Sequence, residues 1–244
     1  MYHQISKPNN KNSLANFYNH LNYLSYNFPI VLPGEQLKKN CLSVCLTFDD
    51  AYYDFYHYVY PQLQSLNIKA ALGIPTNYIA QTSIVPANIR LGVEYPAGLS
   101  NDHSLQTKMS PLCTWQEIRE MVNSGLVMPC SHSLTHANLK TCTLEQLELE
   151  TKYSKQMLEE NVKTKITSFI YPFGAMNATT HRVVRKYYAF GLRIGTAINS
   201  NWQQNDGLLY RVDADEFLDL NSKITSSQLL HWRLKYYINK LRGK

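Results

Sequence analysis

The chain has 244 residues, 44% of them apolar and 17% charged, with a formal net charge of +6. That length can bury a sizeable core without disulfide or metal staples, and the composition excludes a disordered or low-complexity chain. The five cysteines are odd in number and form no CxxC pair, which does not resemble a disulfide framework or a zinc knuckle, and no apolar run reaches the roughly 18 residues of a membrane span.

Residues 4–13 are polar, contain Pro8, and read as a loop. From Ser13 to Asn27, Leu14, Phe17, Leu21 and Leu24 fall on one helical face. The apolar run Cys41–Phe48 reads as a strand that stops at Asp49-Asp50. A helix is predicted over Tyr53–Leu66 and a strand over Ile68–Pro75, giving the strand–helix–strand unit of a parallel sheet. Residues 80–111 lack a clean period and carry Pro86, Pro96, Gly98 and Pro111, as a functional loop or insertion would.

Thr114–Gly125 has the signature of a capped helix, with Glu117 three residues after Thr114 and a closing glycine. The stretch "LVMPCSH" is a short strand running into "SHSLTHANL", and Thr143–Asn161 is a second capped helix. A strand over Ile166–Gly174 ends at a turn and a helix follows over "TTHRVVRKYYAF". Two late strands, "GLRIGTAI" and "GLLYRVDA", precede a basic terminal helix. No internal repeat or linker appears, so residues 1–244 read as one domain with a basic C-terminal helix.

Reactive residues recur just after predicted strands: Asp49 and Asp50, then His132 and His136, then Tyr171, Pro172 and Phe173. In parallel α/β folds the carboxyl ends of the strands share one face, where sites form. Two imidazoles at i and i+4 can point the same way on a helical turn, and with one carboxylate they make a facial set for a divalent metal with positions left open for water. Either Asp49 or Asp50 can supply that carboxylate. Adjacent residues on an extended backbone point apart, so one is expected to bind metal and the other to take a proton from water. Either motif alone is a weak signal: surface histidine pairs arise by chance, and an Asp-Asp pair is often a cap or turn. Phe48, Phe169 and Trp115 read as core residues.

"LTFDDAYYD", "SHSLTHANL" and "FIYPFG" together, in this order, resemble the three motifs of the polysaccharide deacetylase family, the NodB-homology carbohydrate esterases. "MYHQIS", "IKAALGIPTNYI", "TWQEIREMVNSG" and "LLYRVDAD" match positions typical of members that deacetylate poly-N-acetylglucosamine or related glycans, so the resemblance covers about residues 1–215. It implies a distorted (β/α) barrel, often of seven strands, that hydrolyses N-acetyl groups from an aminosugar. By that resemblance Asp49 is the catalytic base, and Asp50, His132 and His136 bind a divalent metal, usually zinc, with cobalt or nickel in some members. Tyr171, Pro172 and Phe173 border the substrate, and a backbone N–H near Tyr171 holds the oxyanion.

Three positions depart from the family pattern. Ala51 stands where the family has glycine, a small effect if the backbone there is conventional. Ile170 stands where many members carry an arginine that tethers the base, so Asp49 needs another cation, for which Arg211 is a candidate. The late histidine motif that supplies the catalytic acid has no clear counterpart. His231 lies in the terminal helix, where a packing role is the plainer reading, and His3 resembles a Tyr-His pair at the start of the barrel in this subgroup.

The expected partner is an N-acetylated glycan or a sugar precursor. Nucleic acid is not expected, and the basic tail offers a peripheral membrane contact. With no signal peptide visible, the expected location is the cytoplasm or the inner membrane face, or outside the cell if a leader precedes these residues. A glycan-binding domain without turnover and an amide hydrolase acting on a non-sugar substrate are the rival readings.

Overall fold

A computed structural model describes residues 1–6, 13–93, 108–214 and 223–241. Its centre is a sheet of six parallel strands in sequential order: β1 (Thr47–Phe48), β2 (Ala70–Ile74), β3 (Val127–Ser131), β4 (Ser168–Ile170), β5 (Phe190–Ile194) and β6 (Leu208–Arg211). Helices α1 (Ser13–Asn27), α2 (Tyr60–Leu66), α3 (Ala87–Leu91), α4 (Trp115–Asn123), α5 (Leu144–Val162), α6 (Ala178–Tyr187) and α7 (Ser226–Leu241) accompany it. Sequential parallel order with intervening helices is the winding of a (β/α) barrel.

The strands number six among the described residues, against the seven expected. Met1 and Tyr2 take the remaining position. The Tyr2 N–H donates to the Thr47 carbonyl at 2.9 Å and the Asp49 N–H donates to the Tyr2 carbonyl at 2.9 Å, beside β1. On the other flank, the Met1 nitrogen donates to the Val212 carbonyl at 2.6 Å and the Ala214 N–H donates to the Met1 carbonyl at 2.9 Å, just past β6. Two residues thus bridge the seam between the first and last strands, pairing with β1 through a single parallel bridge, Tyr2 to Phe48.

Strand alternation sorts the core into two sets. Ala71, Cys130, Ile170, Leu192 and Leu209, one from each of β2 to β6, form a buried cluster with Leu32 inside the curl. Phe48, Leu72, Phe169, Tyr171 and Tyr210 have the opposite parity and join the larger cluster beneath the helices. On α1, Phe17, Leu21 and Leu24 are buried, and the Phe17 ring meets Tyr2 and Phe48 edge-on. Both predicted caps form, and each is a capping box: the side chains of Thr114 and Glu117, and of Thr143 and Gln146, each bond the other's backbone N–H.

Where the sequence predicts one helix over Tyr53–Leu66, the chain makes a π-helical turn, Phe55–Val59, that continues into α2. The strand expected over Cys41–Phe48 shrinks to two residues plus an isolated bridge between Ile30 and Val44. The insertion predicted over 80–111 contains α3, and its residues 94–107 lie outside the described set.

Candidate active site

The site lies at the carboxyl ends of the strands. Asp49 follows β1 with the parity of Thr47, so it points into the curl, and Arg211 ends β6 with the parity of Leu209. The two meet across the seam. Arg211 Nη1 donates to Asp49 Oδ1 at 2.6 Å and Nη2 donates to Oδ2 at 2.9 Å, with both side chains nearly fully buried. This is the bidentate fork that guanidinium and carboxylate geometry favour. Burial pushes the Asp49 carboxyl up, but the Arg211 charge, with help from His132, outweighs it and leaves the group below the ordinary carboxylate value. The cation sought in place of an arginine at Ile170 is therefore adjacent to Asp49, while Ile170 is wholly buried.

Asp50 does not follow the extended geometry expected of it. Asp50 and Ala51 have φ of +70° and +53°. Two successive left-handed residues reverse the chain and bring the Asp50 carboxylate back toward the site instead of away from it. Alanine here holds a conformation that favours glycine, so the backbone at Ala51 is not the conventional one anticipated.

His132 and His136 sit in a loop after β3, not on a helical turn. Ser133 and His136, with φ of +64° and +55°, tighten that loop until the two rings meet with centroids 4.8 Å apart. Nε2 of His132 is 3.4 Å and Nε2 of His136 is 3.2 Å from Asp50 Oδ1. The ligating atoms of Asp50, His132 and His136 all lie within 4.8 Å of one another and all three residues are buried. Asp50 Oδ1 makes no hydrogen bond. An orphaned buried carboxylate oxygen facing two imidazole nitrogens is costly unless a cation lies between them. Ligands about 2.0–2.2 Å from a tetrahedral ion lie roughly 3.4 Å apart, close to the distances from Asp50 Oδ1 to each imidazole. The three side chains therefore fit a divalent metal. His132 Nδ1 lies 2.9 Å from the Ile170 carbonyl, which fixes the tautomer that leaves Nε2 free to ligate. Burial would raise the Asp50 carboxyl, yet the two imidazoles hold it well below the usual range.

Glu150, which sequence reasoning missed, holds the histidine loop. Its carboxylate accepts the N–H groups of Leu134 and Thr135 at 2.9 Å each and the Thr135 hydroxyl at 2.5 Å. The signal was present in the sequence: Glu150 lies on the buried face of α5 with Leu147, Thr151, Ser154 and Leu158. A carboxylate in an apolar helical stripe needs donors waiting for it. From the other side, the Asn77 N–H donates to the Leu134 carbonyl at 2.9 Å and the Tyr78 hydroxyl donates to the Thr135 carbonyl at 3.1 Å.

The remaining candidates divide. The Phe173 ring is 55% exposed and lies 4.7 Å from the His136 ring, at the edge of the site. Tyr171 has the parity of Phe169 and points outward under the helices, fully buried, where its hydroxyl lies 2.7 Å from His181 Nδ1. A side chain on Gly191 would strike its ring, since a Cβ there would fall 2.8 Å from the Tyr171 oxygen. Its own N–H donates to the Leu192 carbonyl at 2.9 Å. Tyr171 is thus neither a wall of the cleft nor the oxyanion donor; strand alternation sends it to the opposite face. Pro172 is buried in the following turn. His3 is half-buried next to Tyr2, and its charge acts on Asp49. His231 is exposed on α7, away from this cluster.

The family model described as polysaccharide deacetylase matches residues 36–189, well over half of the chain. The chain belongs to the polysaccharide deacetylase family. Its matched segment runs from before β1 to the end of α6, enclosing Asp49, Asp50 and both histidines but not Arg211. YxkH of Bacillus subtilis, a protein assigned to the polysaccharide deacetylases, is 25% identical over 195 residues, covering 76% of this chain and 60% of its own. The chain thus spans about three fifths of that relative's length.

Among solved structures, the Streptococcus pyogenes deacetylase PplD in complex with acetate superposes with a TM-score of 0.65 at 19% identity, over 90% of this chain and 86% of its own. IcaB from Ammonifex degensii gives 0.64 at 19%, over 95% and 94%. These two show the same curled parallel fold, that of the NodB-type deacetylases.

Proposed function

We propose that this chain is a metal-dependent hydrolase that removes N-acetyl groups from an aminosugar-containing glycan, with Asp49 as the base. The observation that carries this reading is the Arg211–Asp49 fork beside the triad of Asp50, His132 and His136. Two imidazoles and one carboxylate leave open positions on a divalent ion and suit zinc first, with cobalt or nickel as substitutes. Such an ion, when bound, polarises the amide carbonyl and lowers the pKa of a water.

The residues of the chain do the rest. Arg211 keeps Asp49 ionised and fixes both of its oxygens, so the base meets the water in one orientation. Pro172 has no N–H, and those of Tyr171, Gly174 and Ala175 donate to the Leu192, Tyr171 and Pro172 carbonyls, so the oxyanion donor we assign in this turn is the Phe173 N–H. The Phe173 ring bounds the cleft beside His136. We assign protonation of the leaving amine to His3, half-buried beside Tyr2, and not to His231, which is exposed on α7.

The test joins metal content to turnover. Metal is measured by elemental analysis in the zinc-reconstituted wild type and in Asp50→Ala, and acetate release is measured from N-acetylglucosamine oligomers with β-1,4 and β-1,6 linkages. The expected result is one divalent ion per chain, acetate release by the wild type, and loss of both in the variant. A wild type that binds no metal sinks the enzyme reading. Metal without acetate release from any sugar favours the non-sugar or binding-only reading.

A further inference from the structure

We infer that the outer face of α7 is a docking surface for an anionic lipid bilayer, a property independent of the deacetylase reading. The helix carries two apolar stripes. Trp232, Tyr236 and Asn239 face inward. There Tyr236 meets the Tyr210 ring, the Asn239 amide donates to the Gly195 carbonyl at 2.8 Å, and the Trp232 carbonyl accepts the Ile198 N–H at 3.3 Å. Helix α7 is therefore already anchored to the barrel through one side.

The second stripe is Leu230, Leu234, Tyr237, Ile238 and Leu241, at 59%, 55%, 63%, 40% and 87% exposure. At 3.6 residues per turn these five positions fall within an arc of about 100°, opposite the buried one. A helix held to its domain on one side has no need of a second apolar side for folding. Five adjacent large apolar side chains in water form a patch that calls for a partner.

The flanking charges identify that partner. Arg233 and Lys240 border the stripe on one edge, and His231 and Lys235 border it on the other. No Asp or Glu occurs anywhere in Ser226–Leu241. An apolar stripe between two basic edges is the pattern of a helix lying in the headgroup layer of an anionic membrane, with the aliphatic stems of Lys and Arg reaching outward. A second copy of the chain fits less well. One stripe about 18 Å long offers less than the roughly 800 Å² per partner of a stable dimer. A twofold contact would also bring the basic edges of the two copies together.

Co-sedimentation of the full chain with extruded vesicles tests the inference. Vesicles of equal parts phosphatidylglycerol and phosphatidylcholine are compared with phosphatidylcholine alone, at low and high salt. We expect at least tenfold stronger partition onto the anionic vesicles, weakened by salt. The double variant Leu234→Glu, Ile238→Glu should lose at least tenfold of it while keeping the wild-type melting temperature. The charge variant Arg233→Glu, Lys240→Glu should lose the preference for phosphatidylglycerol. Equal partition of wild type and the Leu234→Glu, Ile238→Glu variant, or no partition at low salt, overturns the inference. So does a wild type that is dimeric without vesicles and becomes monomeric in that variant, which would make a second copy the occupant.

Discussion

Arg211 holds both carboxylate oxygens of Asp49 from the far side of the sheet, 162 positions later in the chain. The pair is buried on both sides, so its removal is costly in a specific way. Arg211→Met leaves an uncompensated buried carboxylate, and breaking a buried pair costs about 3–5 kcal/mol. The variant should melt earlier, and the acid limb of its kcat/KM profile should move to higher pH, because the charge that holds Asp49 below the ordinary carboxylate range is gone. Arg211→Lys keeps the charge and loses the fork, so it should recover part of the pH shift but little of the turnover. An unmoved acid limb in Arg211→Met counts against Asp49 as the base.

Asp49→Asn separates chemistry from metal binding. Asp49 makes none of the three close contacts among Asp50, His132 and His136. Metal content should remain, while acetate release falls by about 10²–10⁴, the usual worth of a general base. Elemental analysis and kcat on the same preparation check both halves.

Glu150→Gln tests whether the histidine loop depends on its anchor. The amide oxygen can still accept the two N–H groups that Oε2 takes, but the NH2 in place of Oε1 takes the acceptor from the Thr135 hydroxyl, and the negative charge is gone. Outer partners of this kind are worth about 10–100-fold in metal affinity. A competition assay with a chromophoric chelator should show zinc affinity lowered by that factor. Unchanged affinity would mean that the contacts from Asn77 and Tyr78 suffice.

Tyr171→Phe should leave KM and kcat unchanged and lower stability by about 1 kcal/mol, the worth of one hydrogen bond, here the one to His181. A large change in KM would return Tyr171 to the cleft.

Stability should respond to pH through two aspartates of opposite sign. Burial pushes Asp54 up to about 6, against the pull of the Ser6 and Ile5 N–H groups that bond it at 2.8 and 2.6 Å. An unfolded aspartate titrates near ~3.9, so the Asp54 contribution is full below that value and is lost as pH rises through about 6. Asp49 is lowered, so its contribution is full above ~3.9 and is lost as pH falls through its lower folded value. Urea melts should therefore show Asp54→Asn gaining on the wild type between pH 4 and 7.

The sequence carried the parts of this site better than their arrangement. Asp50, His132 and His136 were legible because three short motifs occurred in a known order, and both helix caps could be read directly. What could not be read was backbone direction. The left-handed pair at Asp50 and Ala51, and those at Ser133 and His136, carry no glycine to announce them, so the ligands were placed on an extended strand and a helical turn instead. Tyr171 was misplaced for a different reason: the alternation that turns Ile170 inward turns Tyr171 outward, and a short strand offers few residues from which to count. Glu150 announces itself only as a carboxylate in a buried helical stripe, and two of its three donors are backbone N–H groups that sequence does not distinguish.

The seam closed by Met1 and Tyr2 bears on the order in which the protein becomes competent during synthesis. The three side chains of the candidate ion site all lie at or before His136, and the groups that fix them, Glu150 and the Ile170 carbonyl, are in place once β4 has left the ribosome. Arg211 ends the last strand of the curl and reaches Asp49 only after β6 has emerged and folded back against Met1, Tyr2 and β1. A nascent chain would thus assemble its candidate ion site before Asp49 is held in its fork, and on the proposed reading would stay silent until the curl shuts.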